Sequence, residues 1–458
     1  MSRWSLLVPW LFSLGLLGCD PPGSPEPSRD APPSSTAPSL PTPARTEAPP
    51  SALPVVSASS APTTKPSLPA PSLDAMKKLA SSSNQFGFDL YGKVRAKEKG
   101  NLVIAPASLT TALAMTWGGA KGETATEMKR VMHLEDSPAD VMDTSGKLAS
   151  SLTDPARPVV FKIANRLFGE KSYEFESQYL SATERAYGAP LERVDFKKGA
   201  EAARSNINGW VEKQTESRIK NLIPERGVDD QTRLVLVNAI YFLGDWAAPF
   251  EKDNTVPMPF KLSAKESKDV PTMNRTESYK IAQKDGVTAL QLPYKGGQMS
   301  MLILLPDAAD GLEAMEKSLS NTTLDALVAG LKDERVYVAL PKFKIEPAAS
   351  LELKAPLIEL GMKTAFDRSR ADFTGIANPP SADDRLVISK VFHKGFIRVD
   401  EKGTEAAAAT AVSMARAGGV PSKPREFKAD HPFAFVIRDE ASGLVLFMGR
   451  VKNPLGAE

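Results

Sequence analysis

An α+β fold, with helices gathered early and strands late, is what the sequence predicts for most of this 458-residue chain. Three observations carry that prediction. Apolar residues recur at helical spacing soon after residue 73, and strand-length runs rich in β-branched and aromatic residues dominate the later chain. The two types do not alternate regularly, as they would around a doubly wound parallel sheet. In chain order, Met76, Leu79, Phe86, Leu90 and Val94 fall near one helical face. A helix running on to Trp117 follows, with Ser108 placed to cap it and Gly118-Gly119 to stop it, and another begins after Gly122. Strands are predicted over 159–167, 232–242, 299–305, 336–340, 386–399, 433–438 and 444–450. No Pro/Ser-rich break interrupts residues 73–458, so they are expected to form one large domain, and no internal repeat is visible.

Composition excludes several functions. Lys and Arg number 57 against 55 Asp and Glu, a net charge of +2, which supplies no basic face for nucleic acid. The single cysteine, Cys19, rules out an internal disulfide or a Cys-based metal site. Three histidines, His133, His393 and His431, sit in no nucleophile motif such as Gly-x-Ser-x-Gly, so a triad hydrolase is not expected. No enzyme activity, metal or cofactor is implied.

The N-terminus reads as a targeting and tethering device. Arg3 precedes an apolar run from Leu6 to Leu17 that is too short to span a bilayer as a stable helix. It ends in Leu16-Leu17-Gly18-Cys19, which resembles the lipobox of bacterial lipoproteins. Residues 1–18 are therefore expected to be a lipoprotein signal peptide and Cys19 the lipidated residue, giving a lipid-bilayer partner and a periplasmic or cell-surface location. Acyl chains on Cys19 would anchor the chain without spanning the membrane. From 20 to 72 the chain is almost entirely Pro, Ser, Ala and Thr, holding 16 of the 38 prolines, and no core can form from it. Residues 19–72 are expected to be a solvated, semi-stiff spacer.

Four stretches carry more than composition. They are VNAIYFLGDW at 237–246, ISKVFHK at 388–394, VDEKGTEAAAAT at 399–410, and HPF at 431–433 followed by LFMGRV at 446–451. With NLVIAPAS at 101–108 near the start of the domain, and Gly361-Met362, Phe366, Asp372 and Phe373 later, they resemble the serpin family in order and spacing. The resemblance implies a fold of about nine helices and three β-sheets with an exposed, insertable reactive loop. It also implies an irreversible, suicide-type inhibitor of serine or cysteine proteases, expected to act as a monomer. The alternative within the same fold is a non-inhibitory binding, carrier or chaperone-like module that is cleaved as a plain substrate.

The loop has its own physical reading. Residues 404–415 contain no proline or glycine and one charge, Glu405, so the segment could lie inside a sheet without a missing donor. Thr404, Ala406, Ala408, Thr410, Val412 and Met414 share one strand face, and the small or polar remainder shares the other. An alanine-rich helix is the competing local conformation. Insertion would add roughly a dozen backbone hydrogen bonds at about 1 kcal/mol each. Burial of Val412 and Met414 would add about 1.5 to 3 kcal/mol apiece. The stored reserve is then on the order of 10 kcal/mol.

Residue roles follow only from the resemblance. It makes Glu401, Gly403, Thr404, Glu405, Ala406, Ala407, Ala408, Ala409 and Thr410 the hinge, and its small residues match inhibitory members. Counting sixteen positions on from Glu401 puts the scissile bond at Ala417–Gly418, which suits elastase- or subtilisin-like proteases. A bond one residue earlier, Arg416–Ala417, would suit a trypsin-like target. Ser108, Asn238 and His393 match a polar cluster beneath the strands that part for the loop, Trp246 a tryptophan at the top of the sheet, and Lys342 a lysine that pairs with Glu401. Ala105 departs from the family pattern, which has serine there.

Overall fold

The computed structural model describes residues 72–188, 191–381, 384–404 and 423–456. Among these residues are nine α-helices: α1 (Leu73–Lys97), α2 (Pro106–Trp117), α3 (Gly122–Val131), α4 (Pro138–Leu152), α5 (Ser177–Tyr187), α6 (Phe196–Gln214), α7 (Leu312–Ser318), α8 (Asn321–Ala329) and α9 (Lys354–Glu359). The strands are β1 (Leu102–Ile104), β2 (Val159–Glu170), β3 (Glu192–Val194), β4 (Leu234–Asp245), β5 (Val256–Lys261), β6 (Ser267–Lys284), β7 (Val287–Pro293) and β8 (Met299–Pro306). They continue as β9 (Lys332–Pro341), β10 (Phe343–Ile345), β11 (Leu351–Glu352), β12 (Lys390–Val399), β13 (Gly403–Thr404), β14 (Arg425–Lys428), β15 (Phe433–Asp439) and β16 (Val445–Val451).

Helix α1 starts where the sequence leaves its Pro/Ser-rich stretch. The Ser72 hydroxyl accepts from the Ala75 N–H, Asp74 lies in the first turn and Arg95 and Lys97 lie in the last, so caps and charges agree with the helix dipole. Helix α2 corrects one expectation. Its N-cap is Ala105, with Pro106 in the first turn, and Ser108 lies inside the helix. Proline is pre-organised for that first turn and removes one of its unpaired N–H groups, and the Ser108 hydroxyl, inside the helix, is free for other partners.

Two hydrogen-bonded strand networks form. One has the order β10-β12-β13-β4-β2-β3, with β11 on β12, and the other runs β1-β16-β15-β8-β7-β6-β9-β14, with β5 on β6. Three sheets are expected and two networks form, the nine-stranded one bridged by the 18-residue β6. Residues Ser267 to Thr272 pair with β5, Thr272 to Ile281 with β9, and Lys280 to Lys284 with β7. The sequence reading missed β5 and β6. β5 is short and carries Pro257 and Pro259, and β6 is mostly polar and carries Pro271, so neither shows the alternation of a half-buried strand.

The seven-stranded sheet is covered on both faces, and alternation decides which residue faces where. Leu234, Leu236, Ile240 and Phe242 of β4 enter the main core with α1 and α2, whereas Val235, Val237, Ala239 and Tyr241 pack into a second cluster with Phe196, Ile207 and Val211 of α6. Asn238 has the parity of the first set. On β12, Val391, Ile397 and Val399 belong to the main core and Phe392 and Phe396 to the α6 side, which puts His393 on the main-core face. Two polar side chains are thereby driven into an apolar layer.

Candidate functional site

The β4–β12 seam is the part of the fold where chemistry concentrates. The two strands are parallel and paired from Lys390↔Val235 to Phe396↔Tyr241. Above that they part, and Gly403 and Thr404 of β13 lie between them, antiparallel to β4 with Thr404 opposite Gly244, and antiparallel to β12 with Thr404 opposite Val399. The seam is closed below and already entered at its top.

Midway along the closed part a polar row crosses the sheet. Asn165 of β2 is the register partner of Asn238, which is the register partner of His393. The Asn238 amide donates to the Ser108 hydroxyl at 2.7 Å and to Asn165 Oδ1 at 2.7 Å, and the Ser108 hydroxyl donates to Asn165 Oδ1 at 3.1 Å. His393 Nε2 lies 3.2 Å from the Ala105 N–H and therefore accepts, which leaves Nδ1–H to donate to Asn238 Oδ1 at 2.5 Å. Complete burial pushes the His393 pKa down to about 3, although its bond to Asn238 works in the opposite direction. A second ring proton would also face the Ala105 N–H donor to donor. At position 105, where the family pattern has serine, alanine contacts His393 through its backbone N–H.

The second polar group lies at the mouth, six residues further along β4, or about 20 Å. Glu401 is buried and receives Lys342 Nζ at 2.9 Å and the Thr255 hydroxyl at 2.9 Å. Burial would raise its carboxyl, but these donors outweigh burial and hold it below the usual carboxylate range. The turn that delivers the hinge is clamped from the other side. Trp246 donates its indole N–H to the Asp400 carbonyl at 3.0 Å and its backbone N–H to the Lys402 carbonyl at 2.7 Å, while the Phe250 N–H donates to the Glu401 carbonyl at 2.8 Å. Gly403 sits so close to β4 that a Cβ there would lie 2.0 Å from the Gly244 carbonyl oxygen. Thr404 is 0 % exposed, and its hydroxyl lies 2.7 Å from the Tyr294 hydroxyl.

A seam that is hydrogen-bonded below, open above and already holding the first two residues of a small-residue segment is a site built to accept another strand. A sequence profile described as "Serpin (serine protease inhibitor)" matches residues 81–454. The chain belongs to the serpin family. The leukocyte elastase inhibitor of Equus caballus is 39% identical to this serpin over 391 residues, spanning 83% of the chain and 100% of the relative. The leukocyte elastase inhibitor of Homo sapiens is 38% identical over the same length. Among solved structures, uncleaved ovalbumin superposes with a TM-score of 0.73 at 31% identity, covering 82% of this chain and 100% of that one. Serpin48 of the insect Tenebrio molitor gives a TM-score of 0.73 at 33% identity, covering 82% and 98%.

The residues expected to form a sheet-opening cluster fall into two places on one seam. Ser108, Asn238 and His393 form the row, while Trp246 and Lys342 stand at the mouth with Glu401, Gly403 and Thr404. Sequence reasoning missed Asn165, Thr255 and Tyr294. Asn165 had a readable signal, a polar residue at a core-facing position of a strand, whereas Thr255 and Tyr294 are brought in only by tertiary packing. Cys19, hinge residues Glu405 to Thr410, and Arg416, Ala417 and Gly418 lie outside the described residues.

Proposed function

We propose that this serpin is an irreversible inhibitor of serine proteases that works by loop cleavage followed by insertion into the seven-stranded sheet. The observation that carries the reading is the seated hinge, with Gly403 and Thr404 antiparallel to both β4 and β12. Continuing the β13 register down β4 brings Thr410 opposite Asn238, and continuing it down β12 brings Thr410 opposite His393. Both walls of the seam accept the same frame. The entering strand would replace the parallel β4–β12 pairing with two antiparallel ones, and Thr410 would reach the polar row as the Asn238–His393 bond gives way.

The chemistry is a race. A protease serine attacks the scissile carbonyl and the leaving amine departs, so the loop becomes an ester of the enzyme. If insertion drags that enzyme away and distorts its oxyanion hole before water attacks, the ester persists. If water attacks first, the serpin has been a substrate. Small side chains at 406–409 favour the first outcome, since nothing bulky must be forced between β4 and β12. The carrier or chaperone-like alternative is disfavoured by these residues and by relatives named as inhibitors.

We assign the reactive bond to Ala417–Gly418, sixteen residues on from Glu401, with an elastase- or subtilisin-like target. Relatives named leukocyte elastase inhibitors support a small-pocket protease. The serpin domain is read as a monomer tethered through lipidated Cys19 and the 20–72 spacer, facing the periplasm or the cell surface. Cys19→Ser should move the protein from the detergent phase to the aqueous phase or leave it unprocessed, and unchanged partitioning would remove the anchor.

Cleavage by an elastase-type protease, followed by mass spectrometry and thermal unfolding, tests the proposal. The new N-terminus should be Gly418, and a terminus at Ala417 would move the bond to Arg416. The cut protein should melt tens of degrees above the intact one, on the scale of ~10 kcal/mol in a domain this size. A cut protein that melts no higher has not inserted its loop, and the inhibitory reading fails.

A further inference from the structure

We propose that Tyr294 is a positioning residue of the inhibitory reaction, latching Thr404 between β4 and β12 before the loop is cut. This rests on the inhibitory reading for its functional consequence but not for its structural one. Tyr294 follows β7 directly and reaches across to β13, more than a hundred residues further along the chain. Its ring is completely buried, stacked on Trp246 with centroids 4.7 Å apart at 13° and set edge-on against Phe242 at 4.9 Å. The backbone of Trp246 and Tyr294 forms an isolated antiparallel bridge. The ring therefore has no freedom to turn its hydroxyl elsewhere.

The Thr404 hydroxyl is the one hydrogen-bond partner recorded for that Tyr294 hydroxyl among the described residues, and Tyr294 is likewise the one recorded for the Thr404 hydroxyl. If Thr404 left the seam, the Tyr294 hydroxyl would stay buried without a partner, a cost about twice the net worth of the bond itself. The latch is one-sided in its effect. It resists withdrawal of the hinge, whereas downward insertion of residues after Thr404 continues the same register and leaves the bond intact. Trp246 contributes on both counts, since it stacks on Tyr294 and clamps the Asp400–Lys402 turn that feeds the hinge. The seat thus commits the first inserting residue in advance, so that insertion after cleavage starts from a docked strand.

A double-mutant cycle tests the latch. Tyr294→Phe and Thr404→Val each leave one buried hydroxyl alone, while the pair together leaves two apolar groups in contact. Hydrogen exchange of the hinge peptide in the uncut protein should accelerate roughly tenfold in each single variant and return toward the parent rate in the double variant. With an elastase-type protease, the single variants should need several-fold more serpin per protease inhibited, at an unchanged rate of loop cleavage, and the double variant should recover. Unchanged hinge exchange in Tyr294→Phe, or a double variant as loose as the singles, overturns the latch. Failure of the parent protein to trap protease would refute the inhibitory reading, and the exchange cycle would still decide the latch.

Discussion

Replacing Thr404 by arginine asks the seam to accept a charge at a buried position whose side chain, among the described residues, is hydrogen-bonded only to the neutral Tyr294 hydroxyl. Thr404 is fully buried on the main-core face, with the Tyr294 hydroxyl 2.7 Å away and Trp246 and Phe242 packed around that ring. Seating the arginine would leave the Tyr294 hydroxyl unpaired, at about 1–3 kcal/mol. It would also bury a guanidinium without a partner, at about 3–5 kcal/mol. A combined cost on the order of 5 kcal/mol lowers the seated population by about three to four decades, at 1.4 kcal/mol per decade. A side chain that reaches outward to the rim avoids part of the cost only by leaving the seat. The scissile bond lies more than ten residues away, so the variant should be cut at the same bond and at a similar initial rate. The assay is titration of active protease against serpin, with the products resolved on a denaturing gel. Thr404→Arg should yield cleaved serpin and free, active protease. Trapping with the parental stoichiometry would refute the argument that insertion begins at this hinge.

Two further outcomes follow from the same seam. Gly403→Ala places a Cβ within 2.0 Å of the Gly244 carbonyl oxygen, so the hinge should lose its seat and show raised hydrogen exchange at 403–404, while a variant with parental protection would place the β4 contact in doubt. His393 is held neutral with a pKa of about 3 against an ordinary 6.5, so the unfolded chain binds the extra proton first as pH falls. Its contribution is fully present above about pH 6.5 and is lost progressively toward pH 3, on the order of 5 kcal/mol over the whole window. His393→Gln should flatten the stability-versus-pH curve between pH 6.5 and 4.5, as read by denaturant midpoints, and an unaltered slope would contradict the buried neutral ring.

The elements that were legible in the sequence are those whose pattern reflects burial. β4 reads as a continuous apolar run because both of its faces are covered, and its boundaries, Leu234–Asp245, lie within a few residues of the expected ones. β12 and β15 read for the same reason. β6 did not, since half of its residues lie at exposed positions and its pairing with three other strands comes from its length, which no local periodicity reports. At the site, Glu401–Lys342 and Ser108–Asn238–His393 followed from the family resemblance and are in contact. The split of these residues between a row and a mouth depends on strand register, which alternation alone does not fix across β2, β4 and β12. Tyr294 carried no signal beyond an aromatic residue at a strand end. Its partner is set by the crossing of two chain segments that only the assembled sheet brings together.

If cleavage drives insertion quickly enough to trap the enzyme, covalent capture reads it directly. Increasing amounts of the intact protein are incubated with an active-site-titrated elastase-type serine protease. Residual activity is measured, and the products are resolved under denaturing conditions with mass analysis of each band. Activity should be lost at close to one serpin per protease, with a denaturant-stable species whose mass equals protease plus serpin less the peptide released after the scissile bond. Complete cleavage of the loop with full protease activity and no covalent species would contradict trapping by insertion.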